Sequence, residues 1–469
     1  MVKHSVTKKG IMVFFALALA FMALATGMFN NADAKGYHGP KIKNVILMIG
    51  DGMGPAYLTA YRYLKDDPST PRMEPTAFDP YLVGMASTYS YDKQEAITDS
   101  AAAATAMSAG VKTYNGAIAV NMDRQPVETV LEQAKKNGKA TGLVTTTQIN
   151  HATPAAFGAH DVERHHYNAI ADDYYDDLIN GQHKIDVMLG GGQKFFKRDD
   201  RNLVKAFKED GYSYVTTRKE LMNDNNEQVL GLFAEVELPK MIDRPDSVPS
   251  LKEMTTSALD RLSQDKDGFF LMVEGGQIDW AGHANDIVGA MSEVKDFEKA
   301  FKAALEFAKE DGHTLVVVTA DHSTGGLTIG ADGKYDWNPE PIKKAERTPQ
   351  FMAEQIANGA PVKETLDQYI EFDLTQEEIQ SVKAAENQLD ENPNAVHDAI
   401  NKIFTERTNT GWTTHGHTGV DVPVYAYGPA AEMFAGRIEN TKIAKNIFDI
   451  LNNGKHHDDD DEGEGYEED

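Results

Sequence analysis

Residues 44–54 read NVILMIGDGMG, in which the apolar run 44–50 has strand length and leads into a glycine-flanked aspartate. Six more short runs with strand character follow and lead into turns; they span 82–89, 140–146, 185–190, 268–274, 314–319 and 424–428. Continuous apolar strands that alternate with helices are typical of a mostly parallel sheet covered on both faces. The sequence therefore predicts an α/β fold, a three-layer sandwich with a central, mostly parallel sheet flanked by helices.

Helical patterns lie between these runs at 101–109, 127–137, 251–264 and 287–310. Two segments interrupt the alternation. Residues 211–249 are polar and predict a surface insertion. Residues 332–414 contain helical patterns at 374–389 and 395–407, and they predict a crown or lid insertion over the sheet. We expect one catalytic domain over residues 35–454.

The first 34 residues predict an export signal. Lys3, Lys8 and Lys9 precede an apolar stretch, and Ala32-Asp33-Ala34 is a small-residue cleavage site. An uncleaved membrane anchor is the alternative, because the apolar stretch is nearly long enough to span a bilayer. We expect cleavage, no stable membrane span in the mature chain, and secretion or retention in the cell envelope (periplasm, cell wall or extracellular space).

Charge and composition exclude several classes of function. The formal net charge is −27, which argues against a nucleic-acid partner. Residues 455–469 predict an acidic disordered tail, since nine of the last twelve residues are acidic. The chain has no cysteine, so disulfides, cysteine nucleophiles and thiolate zinc sites are excluded. Any bound metal must be held by histidine, carboxylate, hydroxyl or water ligands.

Asp51 and Ser100 are the first candidate functional residues. Asp51 follows the opening strand, where a carboxylate can reach a metal ion, although Asp-Gly after a strand is often only a turn. Ser100 follows Asp99 at the start of a predicted helix, where backbone N–H groups favour an anion. A plain helix cap is the alternative. No histidine base lies near Ser100 in the sequence, so activation as a nucleophile would require a metal.

Acidic and histidine residues recur after the later strands. Glu274 ends a strand, and Asp279 and His283 follow it four residues apart, on one helical face. A carboxylate and an imidazole with this spacing can chelate zinc, or they can form a surface ion pair. Asp321 and His322 come directly after a buried strand, where an unpartnered polar pair is costly, so metal ligation is favoured.

Four further residues complete the candidate set. His417 precedes the last strand and could supply a third ligand to the metal of Asp279 and His283, with His415 as the competing candidate. Thr153 could bind a hard cation through its hydroxyl. Arg164 offers a planar fork for two phosphate oxygens, although an isolated arginine is usually a surface residue.

Taken in order, five motifs resemble those of alkaline phosphatases: D-G-M-G, T-D-S-A-A-A-A-T-A, E-G-x-x-I-D, A-D-H-S-x-G-G and H-T-G. The resemblance runs from about Lys43 to Asn452. It implies hydrolysis of phosphate monoesters to an alcohol and inorganic phosphate through a phosphoserine intermediate on Ser100. It also implies two zinc ions, one magnesium ion and a homodimer.

The resemblance further implies a role for each candidate residue. The first zinc would activate Ser100, and Arg164 would bind the phosphoryl oxygens. Three residue sets would hold the metals: Asp51, Asp321 and His322 for the first zinc; Asp279, His283 and His417 for the second; Asp51, Thr153 and Glu274 for magnesium.

His151 and Trp280 depart from the enteric bacterial pattern, which has aspartate and lysine at these positions. They resemble the Bacillus-type subgroup and some cold-adapted members. His151 would either change the water around the magnesium or bind a metal directly. The alternative functions are a phosphodiesterase or sulfatase-like hydrolase of the same superfamily, or a non-catalytic secreted metal-binding protein. A serine in the nucleophile position, together with Arg164, favours monoesters.

Overall fold

The computed structural model of the protein describes residues 42–452. The predicted export signal (1–34) and acidic tail (455–469) lie outside the described residues. Within residues 42–452, no helix combines the length and the apolar character needed to cross a membrane.

The described chain forms one large sheet and three two-stranded sheets. Its strands are β1 (Asn44–Ile49), β2 (Leu82–Ser87), β3 (Ala140–Gln148), β4 (Leu178–Ile179), β5 (Gln182–His183), β6 (Val187–Gly191), β7 (Ser213–Val215), β8 (Val229–Leu232), β9 (Phe269–Glu274), β10 (Thr314–Thr319), β11 (Ser323–Thr324), β12 (Thr328–Ile329), β13 (Thr410–Gly411), β14 (His417–Thr418), β15 (Val422–Tyr427) and β16 (Gly436–Glu439).

The large sheet has ten strands in the order β16-β2-β15-β10-β1-β9-β3-β6-β8-β7. Only β15 runs against its neighbours, since it pairs antiparallel with both β10 and β2 while the other pairings in this sheet are parallel. The prediction of a mostly parallel central sheet is therefore confirmed.

Helices connect the strands. They are α1 (Pro55–Lys65), α2 (Ser100–Ala109), α3 (Val130–Lys136), α4 (Ala152–Gly158), α5 (Tyr167–Asp176), α6 (Gln193–Phe196), α7 (Leu203–Glu209), α8 (Arg218–Asn223), α9 (Leu251–Leu262), α10 (Gln277–His283), α11 (Ile287–Asp311), α12 (Glu340–Lys343), α13 (Pro349–Ala357), α14 (Val362–Tyr369), α15 (Gln376–Glu386), α16 (Ala395–Thr408) and α17 (Thr441–Leu451). Two groups of them flank the large sheet: α1, α9 and α11 pack together, as do α2, α3, α4 and α17.

The central strands are buried along their whole length, as their apolar sequences predict. Every residue of β1, β9 and β10 is buried. In the register of these strands, Ile49 of β1 lies opposite both Thr319 of β10 and Glu274 of β9. The three strands therefore end at the same level, so the polar residues that follow them meet at one edge of the sheet.

The segment 211–249 differs from its prediction as a surface insertion. It contains β7 and β8, which extend the central sheet at one edge. Residues 229–232 are fully buried and pair with β6. The apolar run in β8 is only four residues long and is surrounded by polar sequence, so the local pattern does not indicate a strand.

Residues 332–414 form the helices α12 to α16, which include the two predicted helical patterns. The segment begins after β12 and contains β13 near its end, and these two short strands pair with each other in a separate two-stranded sheet. Its role as a crown over the sheet remains a prediction.

Candidate active site

Four adjacent strands deliver the candidate residues to one edge of the sheet. Glu274 is the last residue of β9, and Asp51 and Asp321 lie two residues beyond β1 and β10. His151 follows β3, the neighbour of β9. These residues are distant in sequence and come together because parallel strands end at a common edge.

One cluster contains Asp51, Asp321 and His322, whose side-chain ligand atoms lie within 4.8 Å of one another. His322 Nε2 is 3.4 Å from Asp51 Oδ1 and 3.2 Å from Asp321 Oδ2. It is also 3.3 Å from the Ser100 hydroxyl. Ser100 therefore has a histidine beside it in space, although none is near it in sequence, and the same histidine belongs to a candidate metal cluster.

A second cluster contains Asp279, His283 and His417. His283 Nε2 lies 3.2 Å from both Asp279 Oδ2 and His417 Nε2. His417 reaches the cluster because Thr324 pairs with it across β11 and β14. His415 lies outside the cluster, and its Nδ1 is instead 2.9 Å from the His283 carbonyl oxygen. The geometry therefore favours His417 over His415.

The third cluster contains Asp51, His151 and Glu274. Thr153 is close by, since its hydroxyl donates to Asp51 Oδ2 at 3.4 Å. Asp51 thus presents one oxygen to His322 and the other to Thr153, so a single carboxylate joins the first and third clusters. The Trp280 ring, which is partly exposed, lies 6.0 Å from the His151 ring, centroid to centroid.

Ser100 is buried at the first position of α2, where free backbone N–H groups favour an anion. Asp99 caps this helix by accepting from the Ala102 N–H at 2.9 Å. The other Asp99 oxygen accepts from Arg164 Nη1 at 2.8 Å. Asp99 therefore fixes both the serine helix and the arginine fork. Arg164 Nη2 lies 3.2 Å from His151 Nε2, which brings the arginine to the third cluster.

The chemistry of these donors fits cations. Asp51 Oδ1, Asp321 Oδ2 and Glu274 Oε1 are buried without a hydrogen-bond donor, and His151 Nδ1 is also unpartnered. Buried carboxylate oxygens are costly unless they are paired or bind a metal. Aspartate and histidine in sets of three are typical zinc ligands, and carboxylate with hydroxyl oxygen suits magnesium.

Burial and mutual repulsion shift the protonation of the acids. Burial, together with the charge of Asp321, raises the pKa of Asp51 well above its usual range. Burial raises the pKa of Glu274 to about 7. Burial disfavours the protonated form of His283, but the hydrogen bond and negative charge of Asp279 favour that form more strongly. The net effect raises the pKa of His283 to about 9. In the absence of cations, the first and third clusters therefore retain protons that free carboxyls would lose.

We expect metal binding to stabilise the protein more strongly as pH rises. Glu274 and Asp51 hold protons in the metal-free fold that the unfolded chain releases, so metal-free stability falls as pH rises from 4.5, the usual Glu274 value, to about 7. Cations bind the deprotonated forms and remove this loss. The melting-temperature difference between metal-loaded and chelator-stripped protein should widen between pH 5.5 and pH 8, and a constant difference would contradict this.

Thr324 also lies near the clusters, and no sequence pattern predicts a role for it. Thr324 is buried, and its hydroxyl donates to Asp279 Oδ1 and lies 3.2 Å from His322 Nδ1. It therefore links the first and second clusters. Gly52, at φ +70°, leaves the room for this contact, because a Cβ there would come within 2.7 Å of the Thr324 hydroxyl oxygen.

Known proteins that are similar to this chain are alkaline phosphatases. The family model for alkaline phosphatase matches residues 42–453. Alkaline phosphatase 3 of Bacillus subtilis is 60% identical over 95% of this chain and 97% of its own length. The crystal structure of a cold-active alkaline phosphatase from a psychrophilic Shewanella covers 87% of this chain and 99% of its own, with 44% identity and a TM-score of 0.81.

A mutant of TAB5 alkaline phosphatase, solved with Mg bound in its M3 site, covers 88% of this chain and 98% of its own, with 31% identity and a TM-score of 0.64. The family-model match, over residues 42–453, spans the whole large sheet and all three clusters. The chain therefore belongs to the alkaline phosphatase family, metal-dependent enzymes that hydrolyse phosphate monoesters.

Proposed function

We propose that the protein hydrolyses phosphate monoesters in two steps, through a phosphoserine on Ser100, with two zinc ions and one magnesium ion bound beside it. The observation that carries this proposal is the position of the Ser100 hydroxyl. It lies at a buried helix N-terminus, 3.3 Å from His322 of the first cluster. The second cluster adjoins the first, since the His322 and His417 rings stack with centroids 3.5 Å apart.

The donor sets support a different ion in each cluster. The first and second clusters, which mix aspartate and histidine, would hold zinc. The third, where Asp51 and Glu274 meet the Thr153 hydroxyl, would hold magnesium, and a histidine-to-glutamate mutant of the TAB5 relative was solved with Mg bound in its M3 site. His151 would act either as a direct ligand or through water. When bound, these ions supply charge neutralisation of the phosphoryl group and activation of the attacking oxygens.

The chain's own residues position the substrate and accept the phosphoryl group. Arg164 offers its guanidinium to two non-bridging phosphate oxygens, with Asp99 holding that guanidinium in place. Ser100 Oγ, once deprotonated, attacks phosphorus as the bond to the alcohol oxygen breaks. The N–H groups at the start of α2 stabilise the phosphoryl charge. Water then attacks the phosphoserine in line, which releases phosphate and restores Ser100. Two successive displacements retain configuration at phosphorus.

We further propose that the protein acts after export, outside the cell or in the cell envelope, as a homodimer. The export signal proposed for residues 1–34 supports the location. Membership of the alkaline phosphatase family is compatible with the dimer, which light scattering of the mature chain would test.

A comparison of three substrates tests the reaction class. The metal-loaded protein is assayed with a monoester, a diester and a sulfate ester: para-nitrophenyl phosphate, bis-para-nitrophenyl phosphate and para-nitrophenyl sulfate. Each hydrolysis rate is measured with and without a chelator. We expect the monoester to have the highest kcat/KM and the chelator to abolish its hydrolysis. A diester or sulfate rate above the monoester rate would overturn the proposal, and chelator-insensitive activity would overturn the metal requirement.

The same assay tests Arg164. Charge-assisted hydrogen bonds contribute about 1.5–3 kcal/mol each, so Arg164→Ala, which loses the two that Arg164 is proposed to make, should lower monoester kcat/KM roughly 10²- to 10⁴-fold. The diester has one charged oxygen fewer, so its kcat/KM should fall less when Arg164 is replaced. Arg198→Ala is the matched control, since Arg198 is also paired, with Asp172 at 2.7 Å, but lies outside the clusters. Equal losses for monoester and diester would contradict the role of Arg164.

A further inference from the structure

Two threonine hydroxyls that the proposed reaction does not use contact Glu274. The Thr145 hydroxyl donates to Glu274 Oε2, and the Thr147 hydroxyl lies 3.2 Å from the same oxygen. The two hydroxyl oxygens are 2.8 Å apart, and the Thr147 N–H donates to Thr145 Oγ1 at 2.9 Å. Both threonines and Glu274 are buried. One Glu274 oxygen therefore lies within hydrogen-bonding distance of two hydroxyls on β3, the strand beside β9.

The methyl group of each threonine lies beside a glycine. A Cβ at Gly190 of β6 would approach Thr145 Cγ2 within 2.8 Å. A Cβ at Gly276 would approach Thr147 Cγ2 within 2.4 Å. The two glycines thus leave just enough room for these methyls. A β-branched side chain has few χ1 rotamers, so methyl packing directs each hydroxyl toward Glu274.

The other Glu274 oxygen, Oε1, has no hydrogen-bond donor. Oε1 is buried and accepts no hydrogen bond, while the Glu274 carboxylate belongs to the third cluster with Asp51 and His151. The two oxygens of one carboxylate are therefore distinguished: Oε2 is engaged by the threonines, and Oε1 remains for a cation.

We propose that Thr145 and Thr147 are positioning residues that restrict Glu274 to a one-oxygen ligand and so favour Mg²⁺ over Ca²⁺ at the third cluster. The inference rests on the proposed function, which assigns a cation to that cluster. Mg²⁺ requires a compact octahedral shell of single oxygens, whereas Ca²⁺ accepts two-oxygen carboxylates and more ligands. Residues that orient metal ligands typically change affinity about 10- to 100-fold when replaced.

The test measures Mg²⁺ and Ca²⁺ dissociation constants on the zinc-loaded full chain, by calorimetry and by the shift in melting temperature. Thr145→Val and Thr147→Val each remove one hydroxyl and keep the side-chain shape. We expect each valine variant to raise the Mg²⁺ dissociation constant about tenfold and to change the Ca²⁺ dissociation constant less. The preference for Mg²⁺ over Ca²⁺ would then be smaller than in the wild type. Thr147→Ser retains a hydroxyl and should recover most of the Mg²⁺ affinity.

Thr141→Val is the matched control. Thr141 is buried on the same strand, but its hydroxyl donates to the Lys184 carbonyl oxygen, away from the clusters. The inference would be overturned if Thr145→Val and Thr147→Val changed the Mg²⁺ affinity and the Mg²⁺/Ca²⁺ selectivity no more than Thr141→Val does. If a valine variant does not fold, Thr147→Ala at the strand end provides the same comparison. Glu274→Gln separates the two proposals: Mg²⁺ binding unaffected by that change would reject the third cluster as the cation site.

Discussion

Replacing Ser100 with alanine is expected to lower kcat/KM for a phosphate monoester by about four orders of magnitude or more. The hydroxyl is the only part of the side chain that is lost, and it forms the covalent bond to phosphorus in the proposed reaction. The metal clusters, Arg164 and the N-terminus of α2 remain, so substrate binding should survive. The residual rate would come from direct attack by water in a site that still positions the phosphate.

Two measurements check this expectation. Acid-quenched wild-type protein incubated with phosphate should gain the mass of one phosphoryl group on the peptide that contains Ser100, and Ser100→Ala should not. Ser108→Ala is the matched control, because Ser108 is buried on the same helix and donates to the Ala156 carbonyl oxygen at 2.6 Å. A covalent phosphoryl group that persists in Ser100→Ala would exclude Ser100 as the nucleophile.

Replacing Asp51 with asparagine is expected to remove two of the three proposed ions at once. Asp51 Oδ1 faces His322 in the first cluster, and Oδ2 faces Thr153 in the third. An amide lacks the negative charge that both ions require. Since a bound ion contributes several kcal/mol of transition-state stabilisation, we expect kcat to fall roughly 10³-fold or more.

Elemental analysis of the purified variant distinguishes this role from a local one. Asp51→Asn should retain only the ion of the Asp279, His283 and His417 cluster, whereas Asp279→Asn should lose that ion first. Asp286→Asn is the matched control: Asp286 is also fully buried, but it caps α11 by accepting from the Gly289 N–H at 2.8 Å, which asparagine can also do. Loss of a single ion in Asp51→Asn would refute the shared carboxylate.

The site and the fold were predictable to different degrees. The buried strands β1, β9 and β10 have continuous apolar sequences, so their positions agree with the prediction within one residue. The edge strand β7 is only three residues long, and its partner β8 has four buried residues within polar sequence. A segment at the margin of a sheet buries less apolar surface and carries a weaker pattern, which explains why 211–249 was interpreted as an insertion.

Local spacing predicted only contacts within one element. Asp279 and His283 lie one helical turn apart, so their shared face followed from the sequence. The choice of His417 over His415 did not, because it depends on the pairing of β14 with β11. The contact of Thr324 with Asp279 joins residues 45 positions apart. The contact of Thr145 with Glu274 joins residues 129 positions apart. Neither separation corresponds to a local pattern.

The sequence by itself determined that the run NVILMIGDGMG begins with a buried strand and continues to an aspartate just beyond it. It also determined the ligand types available and the family. These properties depend on residue chemistry and short-range periodicity. Tertiary structure alone decided that Asp51 presents its two oxygens to two clusters, that His322 lies beside Ser100, and that Glu274 Oε2 accepts from Thr145 while Oε1 accepts no hydrogen bond. Such relations depend on the register of parallel strands, since β1, β9 and β10 end at one level and bring residues hundreds of positions apart within hydrogen-bonding distance.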